Sequence, residues 1–290
     1  MTAPAPREVL LTVEGLTLRF GGVVALSDVS FDVRSGEMFA VIGPNGAGKS
    51  SLFNCLTGLF RPATGSIRLA GQELVGRSPH SIAGLGVART FQNLGLFDSM
   101  DVLDNLMIGR HVRMRGGVLA GASWIGLRAS ERAARLRCHE IVDLLDLHPY
   151  RHTEVGQLPY GIRKRVELGK ALALDPTLLL LDEPVAGMNP DETEHLIGYV
   201  HAIQDELDLT IILIEHDMHL VMDVADRVLA LDFGQVIGTG LPEEVQRDPR
   251  VIEAYLGVGP TSPDEVRAHG AGAAPAARPS RMPSPSEPRP

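Results

Sequence analysis

Three short, continuously apolar runs constrain the fold of this 290-residue chain more than any other feature. They are MFAVIG at 38–43, LLLL at 178–181 and LTIILI at 209–214. A strand that is apolar at every position is buried on both faces, as in a parallel sheet covered by helices. Alternating apolar and polar residues from Val9 to Val33 instead predict antiparallel strands with one solvated face. The sequence therefore predicts an α/β protein in which an antiparallel β lobe precedes a mainly parallel sheet.

Helical periods fill the segments between these runs. They predict helices over 51–57, 102–110, 131–145, 163–174, 193–207 and 219–225. The alternation of strands and helices is typical of a sheet covered on both faces.

Composition excludes several classes of protein. A formal net charge of -9 leaves no excess of cations to displace counterions from phosphates, so no nucleic-acid partner is expected. The two cysteines, Cys55 and Cys138, lie far apart in no metal-ligand spacing, which fits a reducing cytoplasm. The apolar runs are far shorter than the roughly 20 residues that span a bilayer, and the N-terminus lacks a signal-peptide core. The sequence therefore predicts a soluble chain.

The segment GPNGAGKS follows the first buried run and matches the pattern G-x-x-x-x-G-K-[ST]. Its glycines allow backbone N–H groups to surround phosphate oxygens, and the following helix N-terminus adds positive potential. Lys49 is expected to reach the outer phosphates, and the Ser50 hydroxyl to bind Mg²⁺. The predicted nucleotide-binding residues here are Gly43, Pro44, Asn45, Gly46, Ala47, Gly48, Lys49, Ser50 and Ser51.

Polar residues also follow the other two buried runs. Asp182 ends the second run and is suited to hold Mg²⁺, while the adjacent Glu183 can polarise an attacking water. His216 follows the third run, in IEHD. Because ligands bind where the carboxyl ends of parallel strands meet, these residues are expected to converge beside a γ-phosphate.

Together, GPNGAGKS, LLLLDEP and IEHD resemble the ATP-binding subunit of an ABC transporter. The resemblance covers residues 8–257 and implies a P-loop NTPase, RecA-like α/β core with an antiparallel β lobe. It also implies a helical subdomain inserted at about 92–164, with ATP and Mg²⁺ as cofactors. Residues 258–290 are rich in Pro, Ala and Ser and are predicted to form a disordered tail.

The resemblance implies a role for each matching residue. Gln92, in RTFQN, corresponds to the glutamine that senses Mg²⁺ and couples to the membrane domain. Asp182 and Glu183 correspond to the metal-binding acid and the catalytic glutamate, and His216 to the switch histidine. Phe20 occupies the place of the aromatic ring that stacks on adenine, although a core phenylalanine is an equally open reading of that residue.

The segment LPYGI lies where the family has its leucine-serine-glycine-glycine-glutamine signature. Only Leu158 and Gly161 match, since Pro159 replaces the serine, Tyr160 a glycine and Ile162 the glutamine. Gly161 still opens a helix whose N–H groups can face a phosphate. In this family the signature faces the nucleotide of the opposite subunit, so Gly161 is expected to act on a partner's ATP.

A second departure lies in PVAGMNP, where Asn189 replaces the usual aspartate of the loop that crosses the dimer interface. In a homodimer both nucleotides would meet the altered signature. We therefore expect an asymmetric heterodimer with a second, similar ATP-binding subunit.

Finer features resemble the subfamily that imports branched-chain amino acids. They are RTFQNLGLF, the L-x-Y-G signature, the interface loop, a glycine-rich insertion and the ending VIEAYLG. The expected partners are two transmembrane permease subunits and, indirectly, a solute-binding protein. The expected location is the cytoplasmic face of a bacterial inner membrane.

Other readings stay open at this level. Urea or amide importers share much of the pattern, and the ATPases of lipid or lipopolysaccharide exporters are close in length. Soluble ABC ATPases of translation or repair are disfavoured, because the chain has neither a second ATPase unit nor a long coiled coil. Arginines near the insertion fit either a membrane contact or a solvated loop; they are Arg110, Arg113, Arg115 and Arg128.

Overall fold

The computed structural model describes residues 7–90, 94–111 and 124–256, with only the backbone described for 124–129. Gln92, Arg113 and Arg115, the side chain of Arg128 and the predicted tail at 258–290 lie outside these described residues. The predictions made for them therefore stay predictions.

A four-stranded antiparallel sheet forms the first layer, in the order β2-β1-β4-β5. Its strands are β1 (Val9–Phe20), β2 (Val23–Arg34), β4 (Thr64–Leu69) and β5 (Gln72–Glu73). Alternate residues of β1 and β2 are buried, which is why their sequences alternate. The predicted antiparallel β lobe is confirmed.

A six-stranded sheet forms the centre, in the order β10-β9-β3-β8-β7-β6. Its strands are β3 (Met38–Ile42), β6 (Val87–Arg89), β7 (Leu178–Asp182), β8 (Thr210–Ile214), β9 (Arg227–Asp232) and β10 (Gln235–Gly240). Only the pair β9 and β10 is antiparallel. Every residue of β3, β7 and β8 is buried, as their continuous apolar runs predict.

Nine α-helices lie in the described part of the chain. They are α1 (Lys49–Leu56), α2 (Pro79–Gly84), α3 (Val102–Arg110), α4 (Trp124–Leu144), α5 (Tyr160–Leu172), α6 (Pro190–Leu207), α7 (Met218–Val224), α8 (Pro242–Gln246) and α9 (Pro249–Leu256). The prediction for α3 matches its bounds. Helix α5 begins three residues before the predicted start at Arg163, so LPYGI enters the helix itself.

Two of the three apolar clusters among the described residues join the antiparallel sheet and the helical lobe to the central sheet. One fills the space between the antiparallel sheet and one face of the central sheet, with Phe53 of α1 at 0% exposure. The other joins α3, α4, α5 and α6 to the opposite face of the central sheet. Its members include Leu106, Ile141, Leu172 and Leu181. The predicted boundary of the helical lobe at Lys164 lies inside α5. Helix α5 packs both on the helices of this lobe and on the central sheet.

Candidate functional site: a phosphate loop at the sheet edge

The segment 43–50 forms the turn between β3 and α1. Gly43 has φ +146, and a Cβ there would lie 2.1 Å from the Leu231 carbonyl oxygen. Gly48 has φ +106, and its Cβ would lie 2.8 Å from the Ala25 carbonyl oxygen. Both positions therefore require glycine for conformation and for space. Residues 45–51 line an open cleft of about 460 Å³ together with Glu183 and Phe233.

Lys49 is the first residue of α1 and is only 7% exposed. Its ammonium group donates hydrogen bonds to the carbonyl oxygens of Gly43 and Pro44, the latter at 3.0 Å. Burial lowers the pKa of Lys49 below its ordinary value, and the carboxylates of Glu183 and Asp182 oppose that shift. The cation thus contacts the loop and interacts electrostatically with the two acids.

Sheet register brings the three predicted strand ends together. Strand β8 lies between β3 and β7, with Ile214 paired to Val41 on one side and to Asp182 on the other. The next residue of the β7 segment, Glu183, lines the same cleft as the phosphate loop. The ends of β3, β8 and β7 therefore lie side by side at one edge of the sheet, as predicted.

Glu183 lies in an unusual backbone conformation. Its φ is +48, which is uncommon for a residue with a side chain. Its N–H donates to the Ile214 carbonyl at 3.0 Å, and its carbonyl accepts from the Ala186 N–H at 3.2 Å. The surrounding loop holds this conformation, as strained residues at functional sites require.

Asp182 has a partner that sequence reasoning missed. Arg89, at the end of β6, makes an ion pair with the Asp182 carboxylate at 2.6 Å and donates to Asn54 on α1 at 2.7 Å. Both side chains of the pair are less than a tenth exposed. The only sequence signal was the short run GVART, which predicts no strand of its own.

His216 follows β8 and its side chain is 61% exposed. The preceding Glu215 is fully buried, and its carboxylate lies 3.6 Å from the His216 ring nitrogen Nδ1. Burial raises the pKa of Glu215 above its ordinary value, although hydrogen bonds from the backbone of His216 and Val185 oppose that shift. Glu215 was not identified from sequence, because the glutamate of IEHD belongs to no motif of its own.

Phe20 ends β1 and is 48% exposed, with its ring edge-to-face against Phe60 at 5.1 Å between centroids. The reading of Phe20 as a core phenylalanine is therefore wrong. Val23 and Phe233 line the cleft of the phosphate loop, and Phe233 is 80% exposed at the turn between β9 and β10.

The segment LPYGI forms the N-terminus of α5. Pro159 is the N-cap residue and supplies no side-chain hydrogen bond. The Tyr160 hydroxyl donates to the Ala186 carbonyl oxygen at 3.0 Å. A Cβ on Gly161 would lie 3.1 Å from a carboxylate oxygen of Glu192. The altered signature thus contacts the interface loop of its own chain.

Asn189 caps α6 at the end of that loop. Its side chain accepts from the Glu192 N–H at 3.0 Å, and the Glu192 carboxylate accepts from the Asn189 N–H at 3.1 Å. This reciprocal pair is a capping box. Asparagine and aspartate are about equally good at this position, so the departure retains the helix start.

Tyr255 is a further contact of the phosphate loop. The Gly43 N–H donates to the Tyr255 phenol oxygen at 2.9 Å, across 212 residues of sequence. Burial raises the pKa of this phenol above its ordinary value. The ending VIEAYLG carries only a family resemblance in the sequence, and no local pattern indicates which residue its tyrosine contacts.

A second cleft, of about 290 Å³, lies between the sheet edge and the helical lobe. Helix α3 contributes Ile108 and Gly109, and α5 contributes Lys170 and Ala171. Burial lowers the pKa of Lys170 below its ordinary value.

Among the described residues, no helix combines the length and apolar character that crossing a bilayer requires.

Comparison with known proteins identifies the family. The family model described as ABC transporter matches residues 26–186, which contain the phosphate loop, LPYGI, Asp182 and Glu183. The chain belongs to the ABC transporter family. A second model, described as branched-chain amino acid ATP-binding cassette transporter, matches residues 235–260 and so includes Tyr255.

Curated relatives align over nearly their whole length. The high-affinity branched-chain amino acid transport ATP-binding protein BraF of Pseudomonas aeruginosa is 41% identical, over 86% of this chain and 98% of its own. The corresponding protein LivG of Escherichia coli is 39% identical with the same coverage. A crystal structure of the ADP conformation of an ABC transporter cassette superposes with a TM-score of 0.75, at 29% identity, covering 86% of this chain and 99% of that one.

These findings confirm the fold and the type of activity predicted from sequence. The chain is a nucleotide-binding ABC ATPase with the α/β fold of P-loop NTPases. The curated relatives are described as ATP-binding proteins of high-affinity branched-chain amino acid transport.

Proposed function

We propose that this chain hydrolyses ATP to energise the import of branched-chain amino acids through separate permease subunits. The observation that carries the proposal is the match of residues 235–260, because this segment distinguishes the branched-chain group within the wider family. The relatives BraF and LivG support it along almost their full length. The proposed location is the cytoplasmic face of a bacterial inner membrane, with a solute-binding protein delivering the amino acid.

The proposed chemistry uses the groups around the phosphate loop. Backbone N–H groups of the loop and the Lys49 ammonium bind the phosphates, while Glu183 polarises the attacking water. His216 lies beside the reacting phosphate, and Phe20 stacks on adenine. Gly161 faces the partner's nucleotide.

Magnesium fits this site as a companion of ATP. Mg²⁺ prefers oxygen ligands and usually takes one or two from protein, with substrate phosphates and waters completing the set. Ser50 is exposed and lines the cleft of the phosphate loop, while Asp182 is buried at the end of β7. They offer a hydroxyl and a carboxylate of the required kind. Gln92 is the third proposed ligand. When bound, the ion neutralises charge that develops on the phosphates.

The apolar cleft beside α3 is the proposed docking site for a permease subunit. Its walls come from the helix that follows Gln92 and from α5, which carries LPYGI at its other end. A permease segment bound there would contact both the proposed Mg²⁺-sensing segment and the partner-facing helix. Lys170 offers a cation at the rim, where it also donates to the Gly95 carbonyl.

Two ATP-binding subunits are proposed to form an asymmetric pair. The serine hydroxyl of the usual signature is absent here, and one hydrogen bond to a charged group contributes about 1.5–3 kcal/mol. A heterodimer confines that loss to the partner's nucleotide. A homodimer of this chain with full, transport-coupled ATPase activity would contradict the asymmetry.

Reconstitution in vesicles tests the proposed function. The chain would be assembled with its permeases, a second ATP-binding subunit and a solute-binding protein, and uptake of labelled leucine, valine, urea and sulfate would be compared. We expect ATP-dependent uptake of the branched-chain amino acids alone. Uptake of urea alone, or lipid export without uptake, would contradict the proposal. Full solute-stimulated ATPase activity without permeases would contradict the coupling.

A further inference from the structure

The loop from Glu183 to Asn189 joins the proposed catalytic glutamate to the partner-facing side of the molecule. It begins at the strained Glu183 and ends at the capping box of α6. Internal hydrogen bonds make it compact: Ala186 N–H to the Glu183 carbonyl at 3.2 Å, and Met188 N–H to the Val185 carbonyl at 3.1 Å. Ala186 is therefore linked directly to Glu183 by a backbone hydrogen bond.

Two side chains hold this loop from opposite sides. On one side the Tyr160 hydroxyl donates to the Ala186 carbonyl at 3.0 Å. On the other side the buried Glu215 carboxylate accepts from the backbone N–H groups of Val185 and His216. Glu215 is 0% exposed, and its Oε1 atom has no hydrogen-bond partner among the described residues. A buried acceptor without a partner is costly, and such groups often occur at functional sites.

Tyr160 lies where the family signature has glycine, and glycine cannot make this contact. Its ring lies 3.7 Å from the position of a Cβ on Gly187, so the side chain covers the turn of the loop. The next residue, Gly161, lies on the face that is proposed to contact the partner's nucleotide. A single side chain therefore connects the partner-facing helix end to the loop that carries Glu183.

We propose that the Tyr160 hydroxyl couples the N-terminus of α5 to this loop, so that Tyr160 is a positioning residue for hydrolysis at the chain's own nucleotide. The inference rests on the proposed function, since it requires Gly161 to contact the partner's ATP. Binding of that ATP shifts the helix end, and the hydrogen bond to Ala186 carries the shift to Glu183. The two nucleotide sites are then linked through this chain without passing through the permeases.

The substitution Tyr160→Phe tests the coupling, because it removes one hydroxyl from a partly exposed ring and keeps the ring. In the assembled transporter we expect kcat to fall about twofold to tenfold, the change that loss of one neutral hydrogen bond gives. We expect the Hill coefficient for ATP to fall towards one. The Kd of the isolated chain for ATP should stay unchanged, because Tyr160 does not line its own phosphate cleft.

Tyr199→Phe is the matched control. The Tyr199 hydroxyl accepts a hydrogen bond from Arg165 of α5 at 2.7 Å, so the variant also loses a hydroxyl contact between α5 and α6. No hydrogen bond among the described residues joins the Tyr199 hydroxyl to the loop, so kcat and the Hill coefficient of this variant should equal those of the unaltered protein. An equal loss of activity in both variants would show a general effect of helix packing and would overturn the inference.

Three other results would also overturn it. The first is an unchanged kcat in Tyr160→Phe, and the second is a higher Kd for ATP in the isolated Tyr160→Phe chain. The third is a Hill coefficient of one in the unaltered transporter. Glu183→Gln, measured in the same assay, separates this failure from failure of the proposed function. If Glu183→Gln is inactive while Tyr160→Phe is normal, only the coupling is wrong. If Glu183→Gln hydrolyses ATP normally, the proposed catalytic site is wrong.

Discussion

The two halves of the proposed nucleotide site are built differently. The half that holds this chain's own nucleotide consists of the phosphate loop and the ends of β7 and β8. Two of its charged groups are buried, since Lys49 is 7% exposed and Asp182 5%. The partner-facing half consists of LPYGI and the loop ending at Asn189, where Tyr160 is 39% exposed. The first half follows the family pattern, and the second departs from it.

The difference indicates where the sequence is constrained. In the half that holds the chain's own nucleotide, the register of the central sheet sets where each strand ends. Neighbouring backbone lies so close to Gly43 that a Cβ has no room there. In the second half, side-chain hydrogen bonds from Tyr160, Asn189 and Glu192 hold the backbone. Several different side chains can supply such bonds, so the partner-facing half can vary while its backbone remains in place.

The largest expected effect comes from Glu183→Gln in the first half. The amide keeps the size of the side chain and removes the group that polarises water, so kcat should fall about 10²–10⁴-fold. ATP binding should persist in equilibrium binding measurements. Glu194→Gln, at an exposed position, is the control and should leave kcat unchanged. A normal steady-state rate in Glu183→Gln would remove the catalytic role from this half.

Lys49→Ala is expected to weaken ATP binding itself. Loss of hydrogen bonds from an ammonium group to phosphate should raise the Kd about tenfold to a hundredfold, measured by titration of the isolated chain. Lys170→Ala offers a matched comparison, because burial lowers the pKa of both lysines. Lys170 lines the other cleft, so its variant should keep ATP affinity and lose affinity for the permease. Equal loss of ATP affinity would contradict the division of roles.

Asn189→Ala tests the second half through stability. Removing the N-cap side chain should lower the free energy of unfolding by about 0.5–2 kcal/mol, measured by urea denaturation. Asn189→Asp restores the usual residue of the family and should leave stability nearly unchanged, since both residues cap helices well. A large loss in Asn189→Asp would mean that the asparagine amide has a further partner.

The smallest expected effect is that of Tyr255→Phe. It removes the phenol oxygen that accepts from the Gly43 N–H, a bond that contributes about 0.5–1.5 kcal/mol. The Kd for ATP should rise by a corresponding factor of about two to ten. Tyr150→Phe, in the helical lobe, is the control. An unchanged Kd in Tyr255→Phe would limit the C-terminal segment to a packing role.

Much of the first half was predictable from sequence, because local patterns determine it. The runs that became β3, β7 and β8 are apolar except at Asp182 and Thr210, and the loop motif fixes the turn into α1. The adjacency of the ends of β3, β8 and β7 followed from parallel topology. The bounds of α5 were less predictable, since the apolar period is absent from its first turn, where Tyr160 and Gly161 lie.

Contacts between distant segments could not be predicted. Strand β6 has only three residues and pairs with β7, which is distant in sequence. No local pattern therefore predicts the ion pair of Arg89 with Asp182. The bond of Tyr255 to Gly43 crosses most of the chain. Glu215 and Tyr160 meet the same loop only because the central sheet and α5 lie on either side of it.

Gly161→Asp tests most directly the claim that the second half serves a partner. The carboxylate would oppose the partner's γ-phosphate, so hydrolysis at the partner's site in the assembled transporter should fall, while the isolated chain keeps its Kd for ATP. Gly161→Asn has nearly the same size without the charge and separates repulsion from crowding against Glu192; it should retain most of the activity. If Gly161→Asp instead abolished ATP binding by the isolated chain, LPYGI would belong to the chain's own site and the account would be wrong.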